Sequence, residues 1–539
     1  MNGSLGKIKT HFTNWREWEI NPIVIKELRQ AVRSWAVTGM LLVFLTVLFI
    51  TSLVFLVSQS FDVDANLGLG GTMFSAFAVI LAVASVLFIP LYVGVRVASE
   101  RQENNPDLLY VSTLSPACII RGKFLCGAYV AVLFFSACMP FMAFTNLLRG
   151  VDLPTVFSIL FYLFLTVCAA NMIAIFFACL PMSRPFKILL AVGGFFASFW
   201  LMVPMVMFSF RVMGLGVGTM LSRRDFWIQN ITEIGLGALI TGLFYVLSVA
   251  LISPPSMNRA RPVRIYITVM WLLGGILSLV WVGQTGNPEV ILGWSTSTFL
   301  LMILSLLVVI SNSDQLSLRV RRDIPVSPVK RALAFPFFNG AAGGLVWVVV
   351  IIAATFLVTT GVLSSDFSWS PKTPSVSPSV LISHASFPKP APVLVSHTDA
   401  LESWTAVLAY VFAYVLTALF IQRKFLPKHS PKLAGLLAVL LAGVWAVMPG
   451  VILFFLNQLT WKSLEGLQLG NIFNVFSSLR ESGEIYRHLV FACIWLAVAM
   501  ALNASWFFRQ MNQFQPLART QKPALNIVAP PPLPSDTTP

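Results

Sequence analysis

The sequence predicts an all-α polytopic membrane protein with about twelve transmembrane helices, because it is long, strongly apolar and poor in charge. Of its 539 residues, 57% are hydrophobic and only 11% are charged, and the mean hydropathy is +0.82. Soluble domains carry roughly 25% charged residues. This composition excludes a soluble enzyme, a disordered chain and a disulfide-stapled secreted domain, since none of them could hide so much apolar surface from water.

Apolar runs long enough to cross a bilayer recur twelve times along the chain. A helix needs about 20 apolar residues to cross the hydrocarbon layer. The runs are too long and too evenly apolar for barrel strands. The predicted spans cover residues 36–58, 73–95, 124–146, 155–181, 187–211, 231–253, 264–284, 295–312, 341–363, 402–422, 433–457 and 486–508.

The basic residues between these runs predict the orientation of the chain. With twelve spans, the Lys and Arg residues of both termini and of the loops after the even-numbered spans fall on one side, which the positive-inside rule assigns to the cytoplasm. We therefore expect both termini to be cytoplasmic. The residues concerned include Lys7, Arg96, Arg101, Arg121, Arg184, Arg259, Arg261, Arg264, Arg319, Arg423 and Arg509.

One loop does not follow this rule. Residues 212–230 fall on the predicted outer side, yet they contain Arg223 and Arg224. The segment is either a short re-entrant or interfacial helix, or the span count is wrong by one at this point.

The pattern of apolar and polar stretches divides the chain into four parts. The net charge of +15 comes from short loops between spans, which indicates membrane topology rather than a basic groove, so no nucleic-acid partner is expected. The parts are a surface helix at 1–35, a six-span unit at 36–253 with a cytoplasmic loop at 96–123, a second six-span unit at 254–508 with an external Ser- and Pro-rich loop at 364–401, and a Pro-rich cytoplasmic tail at 509–539.

The segment from Asn21 to Trp35 predicts an amphipathic helix at the membrane surface. Asn21 can cap the helix and Pro22 suits its first turn. At 100° per residue, one stripe of the helix contains Val24, Leu28, Ala31 and Trp35. The opposite face contains Lys26, Arg29 and Arg33. This basic face could meet lipid headgroups or a cytoplasmic partner, or the helix could be a simple electrostatic anchor.

The loop after the second span contains two helix starts in succession. Asn105-Pro106-Asp107 provides a cap, a first-turn proline and an early acid, and Ser115-Pro116 repeats the cap and the proline. The pattern predicts a short cytoplasmic helix of about two turns, followed by a second helix that enters the membrane. An ordinary structured loop is the alternative.

Together, the two segments resemble those of ABC-2 type transporter permeases, the membrane subunits of one class of ATP-binding-cassette exporters. That family shows an N-P-x-x-x-K-E-L-R-like helix before the first span and an E-R-E-R-G-T-L-[DE]-L-L…[LS]-S-P…G-K-like loop after the second. The residues that match are Asn21, Pro22, Lys26, Glu27, Leu28, Arg29, Glu100, Arg101, Asp107, Leu108, Leu109, Leu114, Ser115, Pro116, Gly122 and Lys123. The sequence departs from the pattern at 102–106, and the resemblance covers roughly residues 1–253.

The resemblance implies that the first six spans form an exporter core and that the chain is the permease subunit of an exporter in a bacterial inner membrane. A separate cytoplasmic ATPase would bind ATP and Mg²⁺, and this chain would hold no cofactor of its own. The implied contacts with the ATPase are Glu100, Arg101, Asn105, Asp107, Leu108, Leu109, Ser115, Pro116, Gly122 and Lys123 in the loop. In the surface helix they are Asn21, Pro22, Lys26, Glu27, Arg29 and Arg33. The resemblance also implies that a segment between spans 5 and 6 dips back into the outer leaflet.

The second half of the chain could repeat the first. Ser327-Pro328, in the loop 317–340, could correspond to Ser115-Pro116, and the loop 458–485 could correspond to 212–230. In that case the chain is an internal pseudo-dimer. Otherwise the last six spans are an added unit and two copies of the chain must pair.

No energy source is visible in the sequence itself. The nearest approach to a phosphate-binding loop, Ala117 to Phe124, lacks the first Gly and the final Ser or Thr. The spans are nearly free of ionisable residues, which ion-coupled carriers need. We therefore expect the energy to come from another polypeptide, and an ion-gradient-driven carrier of lipid or drug is the alternative.

Catalytic and metal sites are not indicated either. The five histidines have no metal-ligand spacing, and we expect each to be a solvated loop residue: His11, His384, His397, His429 and His488. The chain is accordingly not expected to be an enzyme. A non-transporting membrane scaffold or a lipid-linked enzyme remains a further alternative.

Overall fold

The structure is a computed structural model. It describes residues 22–59, 69–102, 115–148, 151–181, 184–254, 256–312, 314–364, 397–456, 468–477 and 482–516. Within these residues every regular element is a helix, so the predicted all-α fold class is confirmed. Helices suit a bilayer because each one satisfies its backbone hydrogen bonds within its own segment.

Eleven helices in the described part of the chain are long and apolar enough to cross a membrane. The predicted fifth span falls in the helix Arg184–Leu215, in which a shorter apolar segment, Trp200–Met213, is found. The protein is therefore a multi-pass membrane protein, with the many apolar helices that are typical of transporters. The orientation of the termini stays a prediction.

The chain folds into two compact units. Unit 1 contains residues 1–254 and 262–277, and unit 2 contains residues 255–261 and 278–539. The helices up to the division are α1 (Pro22–Val32), α2 (Trp35–Gln59), α3 (Leu69–Val83), α4 (Ile89–Gln102), α5 (Pro116–Leu147), α6 (Leu153–Cys179), α7 (Arg184–Leu215), α8 (Val217–Met220) and α9 (Arg224–Ile252). The next helix, α10 (Ala260–Thr285), contributes residues to both units.

Helices α3 and α4 form one span that is interrupted by a π-helical turn at Ala84–Phe88. Pro90 lies two residues after this turn, and proline has no N–H to donate to the preceding turn. A π-bulge is one way in which a helix accommodates such a missing hydrogen bond. The hydroxyl of Ser85, which is buried in the turn, donates to the carbonyl oxygen of Leu81 at 2.6 Å.

Helix α6 lies at the centre of unit 1 and packs against α4, α5, α7 and α9. Helix α5 packs in turn against α1, α2 and α3. Aromatic side chains fill the core between these helices, for example Phe134 of α5, whose ring centroid lies 5.3 Å from Phe44 and 5.9 Å from Phe88. This packing places the first turns of α5 beside both α1 and α4.

The segment that breaks the charge rule contains a short helix. Helix α7 ends at Leu215, and Gly216 has a φ of 72°, a left-handed conformation that favours glycine. Helix α8 then buries Val217 and Met220, while Arg223 and Arg224 are exposed. The segment thus contains a four-residue helix. The two alternatives, a re-entrant or interfacial helix and a span count that is wrong by one, both stay predictions.

Unit 2 is built around a central helix, α15, which packs against α11, α16 and α18. Three fully buried alanines on α15, Ala406, Ala413 and Ala418, allow its neighbours to approach closely. The helices of this unit are α11 (Glu289–Ile310), α12 (Leu318–Arg322), α13 (Pro328–Ala334), α14 (Ala341–Ser364), α15 (His397–Phe425), α16 (Leu433–Phe455), α17 (Ile472–Ser477) and α18 (Ser482–Gln513).

The loop between α11 and α14 is anchored to the rest of unit 2. Val320, Ile324 and Phe338 are buried in a small apolar cluster with Phe514, whose ring centroid lies 5.2 Å from that of Phe338. Helix α13 begins at Pro328, directly after Ser327, as the sequence predicts. Both units therefore contain a helix that starts at a Ser-Pro pair, and the internal repeat itself stays a prediction.

His488 was expected to be a solvated loop residue, and this expectation was wrong, because it lies in α18 and is only 3% exposed. Arg264, which was assigned to the basic loop after the sixth span and also begins the predicted seventh span, lies in α10 and is buried as well. The helices extend into the flanks of the apolar runs, so polar residues at the ends of a run pack against neighbouring helices.

Candidate functional site

Helix α1, predicted as the surface helix, presents two different faces. Val24 and Ala31 are buried, and Lys26, Arg29 and Arg33 are exposed, as the periodicity predicts. Leu28 is half-buried. The described part of the helix begins with Pro22 and ends at Val32.

The expectation for Trp35 was wrong, because this side chain is 87% exposed. Helix α1 stops at Val32, and Trp35 begins α2 after a break at 33–34. The stripe of α1 therefore does not continue to Trp35. An exposed tryptophan at the start of a span is typical of the membrane–water interface.

An acid occupies the middle of the buried stripe of α1. Glu27 lies three residues after Val24 and four before Ala31, so helical spacing puts all three on one face. The whole residue is only 5% exposed. A buried carboxylate is costly unless it is paired with a base and hydrogen-bonded.

Lys123 of α5 supplies that base. Its Nζ atom lies 3.2 Å from Oε1 of Glu27 and 2.5 Å from Oε2 of Glu100, which is in the last turn of α4. Lys123 is 7% exposed, so its ammonium group is held between two carboxylates and away from solvent. One side chain thereby links α1, α4 and α5.

Arg96 completes the cluster from α4. It lies four residues before Glu100, which puts the two side chains on the same helical face. Its Nη2 atom is 3.7 Å from Oε2 of Glu27 and also donates to the side-chain oxygen of Gln30. Its Nη1 atom donates to the hydroxyl of Tyr92 at 2.8 Å, and its guanidinium carbon lies 5.7 Å from the centre of that ring.

We call Glu27, Arg96, Glu100 and Lys123 the charge cluster. It contains two carboxylates and two bases, so its formal charges cancel and its burial is tolerated. Glu27 and Lys123 depend most on this balance, because they are buried and removal of one would leave the other without its partner, whereas Arg96 and Glu100 are partly exposed. The cluster therefore acts as a joint that holds α1 against α4 and α5.

A second polar contact lies next to this joint, at the residue of α5 that follows Lys123. Asn171 of α6 is fully buried, and its Nδ2 atom donates to the carbonyl oxygen of Phe124 at 3.3 Å. Gly127 makes room for it, since a Cβ atom at 127 would collide with the amide group. Helix α6 therefore approaches α5 directly beside the charge cluster.

The structure brings three of the predicted partner-contact residues together: Glu27, Glu100 and Lys123. Ser115 caps α5 as predicted, with its Oγ atom accepting from the N–H of Cys118 at 3.3 Å, and Pro116 is the first helical residue. Gly122 is buried beside Lys123, and Arg101 belongs to α4. The remaining ones, Asn21, Asn105, Asp107, Leu108 and Leu109, lie outside the described residues, as does the predicted short helix.

Arg96 is the one member of the cluster that was not among the predicted site residues. Sequence reasoning treated it only as a basic residue at the end of a run. The signal that could have found it is Glu27 itself, because an acid within an otherwise apolar stripe requires buried basic partners. Arg96 directly follows the second predicted span and Lys123 directly precedes the third.

Unit 2 contains a polar network of a different kind, between α15 and α18. The hydroxyl of Tyr410 lies 3.1 Å from Nδ1 of His488 and accepts from the N–H of Gly470, also at 3.1 Å. Tyr414 donates to the carbonyl oxygen of the same Gly470. The backbone at 470 is thus satisfied by tyrosines from α15, as irregular backbone inside a membrane protein must be.

Further along the same pair of helices, polar contacts continue. Nε1 of Trp495 donates to Oγ1 of Thr417 at 3.1 Å. Asn503 donates to the carbonyl oxygen of Leu416 at 2.9 Å and accepts from Arg423 at 3.0 Å. We call this series, from Tyr410 and His488 to Arg423 and Asn503, the polar ladder.

Chemically, the two networks hold helices together. Among the residues that the structure describes, no group of three His, Cys, Asp or Glu side chains could hold a metal ion.

No protein-family model, curated protein or solved structure matches this chain. What the charge cluster does is therefore inferred from its own residues and geometry.

Proposed function

We propose that this chain is the membrane-spanning permease subunit of an ABC-2 type exporter, in which a separate cytoplasmic ATPase drives transport. The observation that carries the proposal is the charge cluster. Its members Glu27, Glu100 and Lys123 come from the two segments in which the sequence resembles that family. The Nζ atom of Lys123 lies within 3.2 Å of a carboxylate oxygen of each of the two acids. The substrate is left open, and a bacterial inner membrane is the proposed location.

The cluster supports a mechanical role for α1. A surface helix that is only an electrostatic anchor needs basic residues facing lipid and no acid on its inner face. Helix α1 instead carries Glu27 on its inner face, joined to Lys123. A force applied to the outside of α1 is therefore transmitted to α4 and α5 through ion pairs that hold these helices together.

The proposed cycle uses this rigid joint. The ATPase would contact the exposed face of α1 and the loop 103–114, which connects α4 to α5. When ATP binding changes the position of the ATPase, α1, α4 and α5 would move together and tilt the spans. The movement requires that the partner bind the two states of the permease with different affinity, since equal affinity shifts no equilibrium.

A triple substitution in the loop tests the proposal. We expect Asp107→Ala, Leu108→Ala and Leu109→Ala together to abolish the permease-dependent ATP hydrolysis of the complex, because they remove the implied contact with the ATPase. The measurement is ATP hydrolysis by the complex that co-purifies with a tagged full-length chain from its native membrane.

The matched control is Arg223→Gln with Arg224→Gln, which changes exposed residues on the predicted outer side. This control should keep full hydrolysis, and the triple variant should reach the membrane in normal amounts. Undiminished hydrolysis in the triple variant, or the absence of any ATPase from the purified complex, would contradict the proposal.

One observation favours a second candidate, an ion-coupled carrier. His488 is an ionisable residue that is buried within a candidate span and bound to Tyr410. Ionisable residues inside spans commonly serve proton or ion pathways. Substrate flux into proteoliposomes that follows a pH gradient without ATP, and that is lost in His488→Gln, would favour this candidate over the ATP-driven one.

A further inference from the structure

A groove runs between α1 and α5. Its volume is about 480 Å³. The residues that line it include Val24, Leu28, Leu125, Ala128 and Val132, with Arg29 at its edge. Ile25 and Tyr129 complete the lining, which is apolar except for Arg29 and the hydroxyl group of Tyr129, so the groove suits a hydrocarbon chain.

The position of the groove indicates which kind of molecule could reach it. Its α5 wall belongs to a candidate membrane span, and Leu125, Tyr129 and Val132 are exposed on that wall. In a membrane these side chains face lipid. A soluble protein could not enter alongside them, whereas the acyl chain of a lipid would lie there at its natural depth.

The charge at the edge of the groove indicates the headgroup. Helix α1 contains one acid, Glu27, which does not line the groove and is paired with Lys123. The exposed ionisable residues of α1 are therefore all basic: Lys26 and Arg29. An arginine can bind a phosphate through two parallel hydrogen bonds.

We propose that this groove binds one anionic phospholipid, with an acyl chain between Leu28 and Ala128 and its phosphate on Arg29. The lipid and the charge cluster would both hold α1 against α5. The site belongs to the chain alone and does not depend on the proposed ATPase, so the two proposals fail independently.

The test measures which lipid stays bound to the purified full-length chain. The protein is prepared in a neutral detergent and mixed with dioleoyl phosphatidylglycerol, with dioleoyl phosphatidylcholine, or with sn-glycerol 3-phosphate, which has the phosphate but no acyl chains. Native mass spectrometry then counts the retained molecules. We expect one phosphatidylglycerol to remain, bound about tenfold more tightly than phosphatidylcholine because of the charge-assisted contact, and no retention of glycerol phosphate.

Two substitutions separate the headgroup contact from the acyl groove. Arg29→Gln should reduce the binding of phosphatidylglycerol to that of phosphatidylcholine. Ala128→Trp should fill the groove and prevent the retention of both lipids. The matched controls are Lys26→Gln, which removes an exposed charge from the same helix outside the groove, and Val350→Trp, which adds the same bulk at an exposed position of α14.

A second measurement on the unmodified protein does not depend on how the variants fold. Phosphatidylglycerol with a photoactivatable diazirine in its acyl chain should label peptides that contain residues 24–29 or 125–132. Equal retention of both lipids with label spread over many spans would overturn the proposal in favour of bulk lipid. Retention of glycerol phosphate by itself would overturn it in favour of a free-anion site.

Discussion

The two units hold their helices together with opposite chemistry. In unit 1, the four side chains of the charge cluster join α1, α4 and α5. Glu27 and Lys123, at the centre of the cluster, are almost fully buried. In unit 2, α15 and α18 are joined mainly by neutral hydrogen-bonding side chains, such as Tyr410 and His488.

Depth in the bilayer accounts for this difference. Arg96 and Glu100 lie in the last turns of a span, and Glu27 belongs to a helix that precedes the first span. Charges at the end of a span can remain near the interface, whereas charges along its middle are costly. Tyr410 and Trp495 lie well inside their spans, where neutral groups are the less costly way to join helices.

The two joints should therefore fail differently. Removal of a neutral hydrogen bond lowers the free energy of unfolding modestly, whereas removal of the partner of a buried charge lowers it strongly. Unit 1 therefore depends on each member of a small set, and unit 2 spreads its stability over many contacts.

The largest effect is expected for Lys123→Met. This change leaves Glu27 and Glu100 close together without the base that lies between them, and removal of one partner from a buried ion pair costs about 3–5 kcal/mol. The measurement is the free energy of unfolding of the detergent-solubilised protein in an SDS titration. The exposed Lys26→Met serves as the control and should change stability little.

A double-mutant cycle sharpens this prediction. If Glu27→Gln is combined with Lys123→Met, the double variant should be more stable than the sum of the single effects predicts, by about 0.5–3 kcal/mol. Strict additivity would mean that the two side chains do not interact, and the joint assigned to α1 and α5 would then be wrong.

A smaller effect is expected for Gly470→Ala in unit 2. Gly470 has a φ of 100°, and a Cβ atom at this position would collide with the ring of Trp445. The backbone conformation alone should cost about 1–2 kcal/mol, and the collision adds to that. The matched control is Gly443→Ala in α16, where a Cβ atom would meet nothing within 4 Å, so this variant should be neutral or slightly stabilised.

The smallest effect is expected for Tyr410→Phe, which removes a single hydroxyl from the polar ladder. Interhelical hydrogen bonds in membrane proteins are worth about 0.6 kcal/mol on average and at most about 1.7 kcal/mol. The exposed Tyr486→Phe on α18 is the control, measured in the same titration. A loss as large as that of Lys123→Met would show that the two units do not differ in the way described above.

The local sequence predicted the helices well because the requirement for a membrane-spanning helix is itself local. Each span needs about 20 apolar residues in a row, and this condition can be checked without knowing what the helix contacts. The same holds for Ser115 and Pro116, which start α5 as predicted, since a cap acts on the backbone a few residues away.

The contacts that side chains make between helices could not be predicted from the local sequence. Trp35 was placed on the stripe of α1 because the periodicity was continued through a break in the helix. His488 was expected in a loop because a histidine at the edge of an apolar run gives no sign of the tyrosine that will face it. In both cases the deciding element lies elsewhere in the chain.

The sequence by itself determined that this is a multi-pass α-helical membrane protein, because apolar length and low charge are properties of the chain that no packing can change. Only the tertiary structure decided that Glu27 and Lys123, which are 96 residues apart, meet as an ion pair, and that Arg96 and Glu100 join them. The physical reason is that a buried charge requires a partner of opposite charge, while only the packing of α1, α4 and α5 determines which residue that partner is.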